Sequence, residues 1–99
     1  DKFVVDCSLI SLCGKNSNEI SEQSLGILEG KIDPGTSVGL SATDRSIFQR
    51  WIVKKVKDNT YEIYDEYNLA LTYDKKKKKL SIEQYTGDKN QQWVIYSAK

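Results

Sequence analysis

Histidine and methionine are absent from the 99 residues, proline occurs once and cysteine twice. Without histidine, neither a Ser-His-Asp triad nor a Cys-His pair can form. With only Cys7 and Cys13, the usual ligand sets of a structural zinc site are missing, and no metal or other cofactor is expected. No glycine-rich loop runs into a Lys-Ser/Thr pair, which excludes a P-loop. The longest uncharged apolar stretch falls far short of the roughly 20 residues that cross a bilayer, so no membrane-spanning helix is expected. Nothing resembles a signal peptide, and the start at Asp1 rather than Met leads us to expect a trimmed or mature chain. Six glycines and one proline beside eight Tyr and Trp residues argue against disorder and collagen-like repeats. What remains is one non-enzymatic globular domain spanning residues 1–99.

The two cysteines permit either a disulfide across a tight bend or two buried thiols. The even count tilts towards the bridge and a secreted, extracellular location. Charge is uneven. Residues 1–50 carry a net −2 and residues 51–99 a net +3, for +1 in all. Five lysines form one run: Lys75, Lys76, Lys77, Lys78 and Lys79. Such a run ordinarily reads as a solvated loop tip. The sharper reading is a patch for a heparin-like polyanion. A near-neutral balance without a basic stripe argues against nucleic acid.

Through the second half, apolar segments alternate with turn formers: 48–56, 61–64, 69–73, 80–85 and 92–96. Leu69, Leu71 and Tyr73 share one parity, as do Leu80 and Ile82, and Trp93 and Ile95. That period of two predicts strands with one buried face. The segments 57–60, 65–68, 74–79 and 86–90 read as the turns between them. Strands are also expected at 3–5, 9–12, 25–28 and 37–42, with a turn at Asp33-Pro34-Gly35. Residues 18–28 allow a short helix capped by Asn18, but strand is favoured there, because Gly26 costs a helix about 1 kcal/mol relative to Ala.

Gln49-Arg50-Trp51 and Gln91-Gln92-Trp93 are both Gln-x-Trp, 42 residues apart, and branched apolar residues follow each. Working backwards, Ser37–Ala42 matches Leu80–Tyr85, Ser24–Ile27 matches Asn68–Leu71, and Leu9–Leu12 matches Tyr61–Tyr64. This pattern resembles the ricin B-type (Gln-x-Trp) β-trefoil lectin family, specifically over 48–96 and suggestively over 1–47. The resemblance implies an all-β, β-trefoil-like fold with two recognisable four-strand repeats, approximately 8–53 and 60–96. The third repeat is missing, degenerate or supplied by another chain. Because an open barrel exposes edge strands, completion by another chain, a homo-oligomer or a separate fragment, is the favoured expectation.

In that family the Trp packs in the core and the Gln supports the binding loop, while an Asp, a stacking aromatic and an Asn hold the sugar. Carried over by position, Asn90 and Gln91 match. Thr72 stands where the Asp is expected, with Asp74 two residues on, and Glu83 stands near the aromatic position, with Tyr85 two residues on. The implied carbohydrate site is therefore Asp74, Tyr85, Asn90 and Gln91. Ordinary alternatives are a turn residue for Asn90 and a satisfied, bracing amide for Gln91. In the first repeat, Leu28 replaces the Asp and Ile47-Phe48 replace the Asn and its neighbour, so that site reads as dead. The carboxylate pairs Glu62 with Glu66, and Glu83 with Asp88, read as solubilising charge rather than acid/base machinery. The leading expectation is a non-catalytic, lectin-like module for galactose- or N-acetylgalactosamine-type glycans. The alternatives are a protein-interaction trefoil, such as a protease inhibitor or a toxin- or receptor-associated subunit, and a polyanion binder on Lys75–Lys79.

Overall fold

A computed structural model describes residues 3–6, 9–13 and 20–95, with side chains at residue 10 and across 23–95. The described residues form nine strands and three short 3-10 turns. The strands are β1 (Phe3–Asp6), β2 (Leu9–Cys13), β3 (Ile20–Ile27), β4 (Ser37–Ala42), β5 (Ile52–Lys57), β6 (Thr60–Tyr64), β7 (Ala70–Asp74), β8 (Lys79–Glu83) and β9 (Trp93–Val94). The 3-10 turns are Leu28–Gly30, Ile47–Gln49 and Lys89–Gln91. The pairing of Cys7 with Cys13, and the expected strand end at Tyr96, lie outside what is described. Among the described residues no helix is long and apolar enough to cross a membrane.

All pairing is antiparallel, in the order β1-β2-β3-β4-β8-β7-β6-β5, with β9 on β6. Residues 20–27 are strand, as favoured, because pairing with β4 across Gln23↔Ala42 to Ile27↔Val38 satisfies a backbone that Gly26 would weaken as helix. The Gln-x-Trp segments differ from expectation at their starts. Phe48 and Gln49 sit in a 3-10 turn and the strand begins at Ile52, while the last strand shortens to Trp93–Val94.

After β1, the units β2–β5 and β6–β9 repeat one plan. The Trp51 indole donates to the Leu25 carbonyl at 3.0 Å, and the Trp93 indole to that of Leu71 at 3.1 Å. These bonds fix Leu25 as the equivalent of Leu71. Register then equates Gly26↔Gly39 with Thr72↔Ser81 and Ile27↔Val38 with Tyr73↔Leu80. Val38, not Ser37, therefore corresponds to Leu80, and Leu25 corresponds to Leu71 rather than to Leu69. The sequence match had slipped by two residues on β3 and by one on β4, because the β3–β4 connection is longer than the β7–β8 connection; only the one-residue slip exchanges faces.

The core draws on both units: Leu25, Ile27, Val38 and Trp51 pack in one cluster with Ile63, Leu69, Leu71 and Ile82. The simple alternation expected along β7 fails, since Ala70 and Thr72 are as buried as Leu71, and Tyr73 is 38% exposed. One face of β7 meets the core. The other is covered by the Lys89–Gln91 turn, whose Gln91 donates to Thr72.

Candidate functional site

Each Gln-x-Trp glutamine is the hub of a small buried network. Gln49 Oε1 accepts the backbone N–H groups of Asp44 and Arg45 at 2.9 and 3.3 Å, and its Nε2 donates to Ala42 O at 2.8 Å and Ser41 Oγ at 3.1 Å. Gln91 Oε1 accepts the N–H groups of Thr86 and Gly87 at 2.8 and 3.3 Å, together with the Thr86 hydroxyl. Its Nε2 donates to Gln84 O at 2.9 Å and Thr72 Oγ1 at 3.1 Å. Both amides are 2% exposed, and their partners tie the loop before each turn to the preceding strand. The loops match in detail. Asp44 Oδ1 receives Ser46 N–H where Thr86 Oγ1 receives Asp88 N–H, and Arg45 and Gly87 both take positive φ, 59° and 77°. The Ser46 N–H bond holds the Asp44 carboxyl below its usual range.

Beside the second network lies an open depression of about 400 Å³ lined by Thr72, Tyr73, Asp74, Lys75, Lys76, Ser81, Glu83 and Asn90. Strand geometry puts Thr72 and Asp74 on one face of the β7–β8 hairpin with Ser81, opposite Thr72, with Lys79, opposite Asp74, and with Glu83. Tyr73 borders the depression, but its side chain, one residue out of phase, belongs to the opposite face. Asp74 Oδ1 accepts the N–H groups of Lys76 and Lys77 at 3.0 and 3.1 Å, an Asx-type bracket that holds the hairpin tip. Glu83 Oε2 accepts the Ser81 hydroxyl at 2.7 Å. Each carboxylate thus keeps one oxygen outside these bonds. Asn90 is exposed, and its amide has no partner among the described residues.

Of the expected carbohydrate site, Asp74 and Asn90 come together on this depression. Gln91 lies beneath it with both ends of its amide occupied, the bracing role that was its alternative reading. Tyr85 is turned elsewhere. Its hydroxyl donates to Glu62 Oε2 at 2.8 Å, and its ring packs on Tyr64 with centroids 5.9 Å apart. The Tyr64 hydroxyl donates to Glu62 Oε1 at 2.7 Å. Burial, then the Glu62 carboxylate, push the Tyr64 phenol up to about 12. The bond to Glu62, then burial, also raise Tyr85. Ser81 was missed from the sequence; its cross-strand position opposite Thr72 was the usable signal. Of the run Lys75–Lys79, Lys75 and Lys76 line this depression, Lys78 and Lys79 line another of about 410 Å³ with Leu28, Ser37, Val38 and Leu80, and Lys77 lines neither.

The first unit fills the counterpart positions differently. Asp74, Ser81, Glu83 and Asn90 correspond to Leu28, Gly39, Ser41 and Phe48. A Cβ built on Gly39 would lie 3.2 Å from Leu28 Cδ1, and one on Gly26 would lie 2.9 Å from Gln49 Cγ and 3.1 Å from Phe48 O. Leucine and backbone therefore occupy the space that stays open in the second unit.

No family model matches the chain, and no curated protein matches it by sequence. It is similar to the crystal structure of a designed three-fold symmetric protein, ThreeFoil, with a TM-score of 0.73 and 17% identity over 98% of this chain and 71% of that one. The fold is a β-trefoil. About two of its repeats are present.

Proposed function

We propose that this β-trefoil is a non-catalytic carbohydrate-binding module of the ricin B type, with one sugar site, in the second repeat. The observation that carries the reading is the convergence of Asp74, Ser81, Glu83 and Asn90 on one open depression braced by Gln91. A carboxylate oxygen accepts from sugar hydroxyls, and an amide both donates and accepts, which is the chemistry a polyhydroxylated ligand requires. A shallow single site gives weak affinity, so repeated presentation would add avidity. Asn90→Ala and Asp74→Ala should each abolish binding on a glycan array, with circular dichroism checking the fold of both variants. Glu83→Gln, which keeps the side-chain size, should weaken binding several-fold. No signal from the parent protein on a broad array removes the proposal.

One observation favours a second reading, a module seated against another chain or a second copy of itself. Trp51 is 2% exposed and packs in a cluster that includes Ile63, Leu71 and Ile82 of the second unit, but its equivalent Trp93 is only half-buried. A further repeat packed there would cover Trp93 in the same way. Sedimentation equilibrium tests this: a self-associating species supports it, and a monomer that also captures no partner chain removes it.

A further inference from the structure

The depression lacks what a neutral hexose most needs. The apolar face of a pyranose ring is held by an aromatic platform, yet among the described residues no ring faces this site. Tyr85 is committed to Glu62 and Tyr64, and Tyr73 lies on the far face of the hairpin. In place of a ring, the lining includes two lysines, Lys75 and Lys76. Neither takes part in an ion pair among the described residues, where the recorded pairs are Arg50–Glu66 and Lys55–Asp58. Nor is their backbone loose, because Asp74 Oδ1 holds the N–H groups of Lys76 and Lys77.

We infer that the sugar taken by this depression carries one anionic substituent, a carboxylate or a sulfate, received by Lys75 and Lys76. The inference rests on the carbohydrate reading above and names its ligand class. The two kinds of charge in the site serve different parts of such a molecule. Asp74 and Glu83 each retain an acceptor oxygen for hydroxyl donors, and Asn90 adds an unpartnered amide. The two ammonium groups make charge-assisted hydrogen bonds to the anion, roughly twice as strong as neutral ones, and so replace the missing stacking energy. A densely charged polyanion fits less well, because the same two carboxylates would repel its further charges. Lys78 and Lys79 line the other depression with Leu28, Val38 and Leu80, but Lys79 also stands opposite Asp74 in the ladder, so only Lys78 is confined to long-range attraction.

Three immobilised probes test this: lactose, sulfated lactose and sialylated lactose, titrated against the intact chain at physiological salt. We expect at least one of the anionic forms to bind about five- to tenfold more tightly than lactose, as two exposed charge contacts allow. Which of the two binds tighter distinguishes sulfate from carboxylate. Lys75→Gln with Lys76→Gln should erase that preference and leave lactose binding in place. Lys78→Asn should keep it; Asn tolerates the positive φ of 53° at position 78. Equal affinity for all three probes overturns the inference and leaves the carbohydrate reading standing. Loss of the preference in Lys78→Asn also overturns it, since the hairpin's overall charge would then be the cause. Binding to none of the probes overturns it as well, while signal from other glycans on the array would still uphold the broader reading.

Discussion

The two halves of this trefoil are built around the same lock and end with different surfaces. Gln49 and Gln91 each draw in two loop N–H groups and return two bonds to the preceding strands, and Trp51 and Trp93 each donate to a β3- or β7-strand carbonyl. The second acceptor of each amide differs. Gln49 uses Ser41, whereas Gln91 uses Thr72, because Gly26 stands where Thr72 would be. With no side chain at residue 26, Gln49 and the Phe48 carbonyl settle directly onto the strand, and Leu28 lies against Gly39. The Gln-x-Trp signature therefore reports the scaffold, and a handful of neighbouring positions decides what surface the scaffold presents.

The largest expected effect separates the two tryptophans. Trp51→Ala should cost about 3–5 kcal/mol in urea denaturation, the range for a fully buried aromatic. Trp93→Ala, starting from a half-buried ring, should cost about 1–3 kcal/mol. Equal losses would break the contrast and mean that Trp93 is covered in solution. Next come the locks. Gln49→Ala and Gln91→Ala should each cost about 2–4 kcal/mol, because two N–H groups and a strand carbonyl lose their partner together. A clear inequality between them would show that Thr72 and Ser41 are not interchangeable acceptors. Smaller still, Gly26→Ala should cost about 1–3 kcal/mol by overpacking against Gln49 Cγ and Phe48 O. Thr72→Ala, which removes one hydroxyl acceptor from Gln91, should cost about 1–2 kcal/mol.

The last contrast is confined to the second repeat. The Tyr64 phenol is raised from 10.0 to about 12 in the folded chain, so its contribution is fully present below pH 10 and is lost as pH climbs through 12. Thermal melts across that window should show a fall in Tm that Tyr64→Phe makes shallower. An unchanged slope in the variant would show that the Glu62 bond does not hold in solution.

Much of the strand layout was legible. The apolar segment at 61–64, the alternation of Leu80 and Ile82, the turn formers after Asp74, and the spacing of the two Gln-x-Trp pairs carried it, because local period and turn chemistry are properties of adjacent residues. The candidate depression was half legible. Asp74 and Asn90, named from the sequence, do line it, but Tyr85 was assigned by a two-residue shift, and its side chain turns instead to Glu62 and Tyr64. The repeat match slipped for a related reason, since unequal hairpin loops leave no local mark of which residue stands opposite which.

By itself, then, the chain's order of residues determined an all-β molecule with a duplicated Gln-x-Trp unit, since both follow from short-range pattern. The loss of the first-repeat site through Leu28 and Phe48 was also readable there; tertiary structure added that Gly26 and Gly39 let Gln49, the Phe48 carbonyl and Leu28 settle onto the strands, while Asp74, Glu83 and Asn90 border an open depression. It also decided that Gln91 braces that depression from beneath and that four of the five lysines line two depressions. Whether a polar side chain serves the fold or a ligand depends on what packs against it. That is settled by cross-strand register and by covering turns, which bring together residues far apart in the sequence.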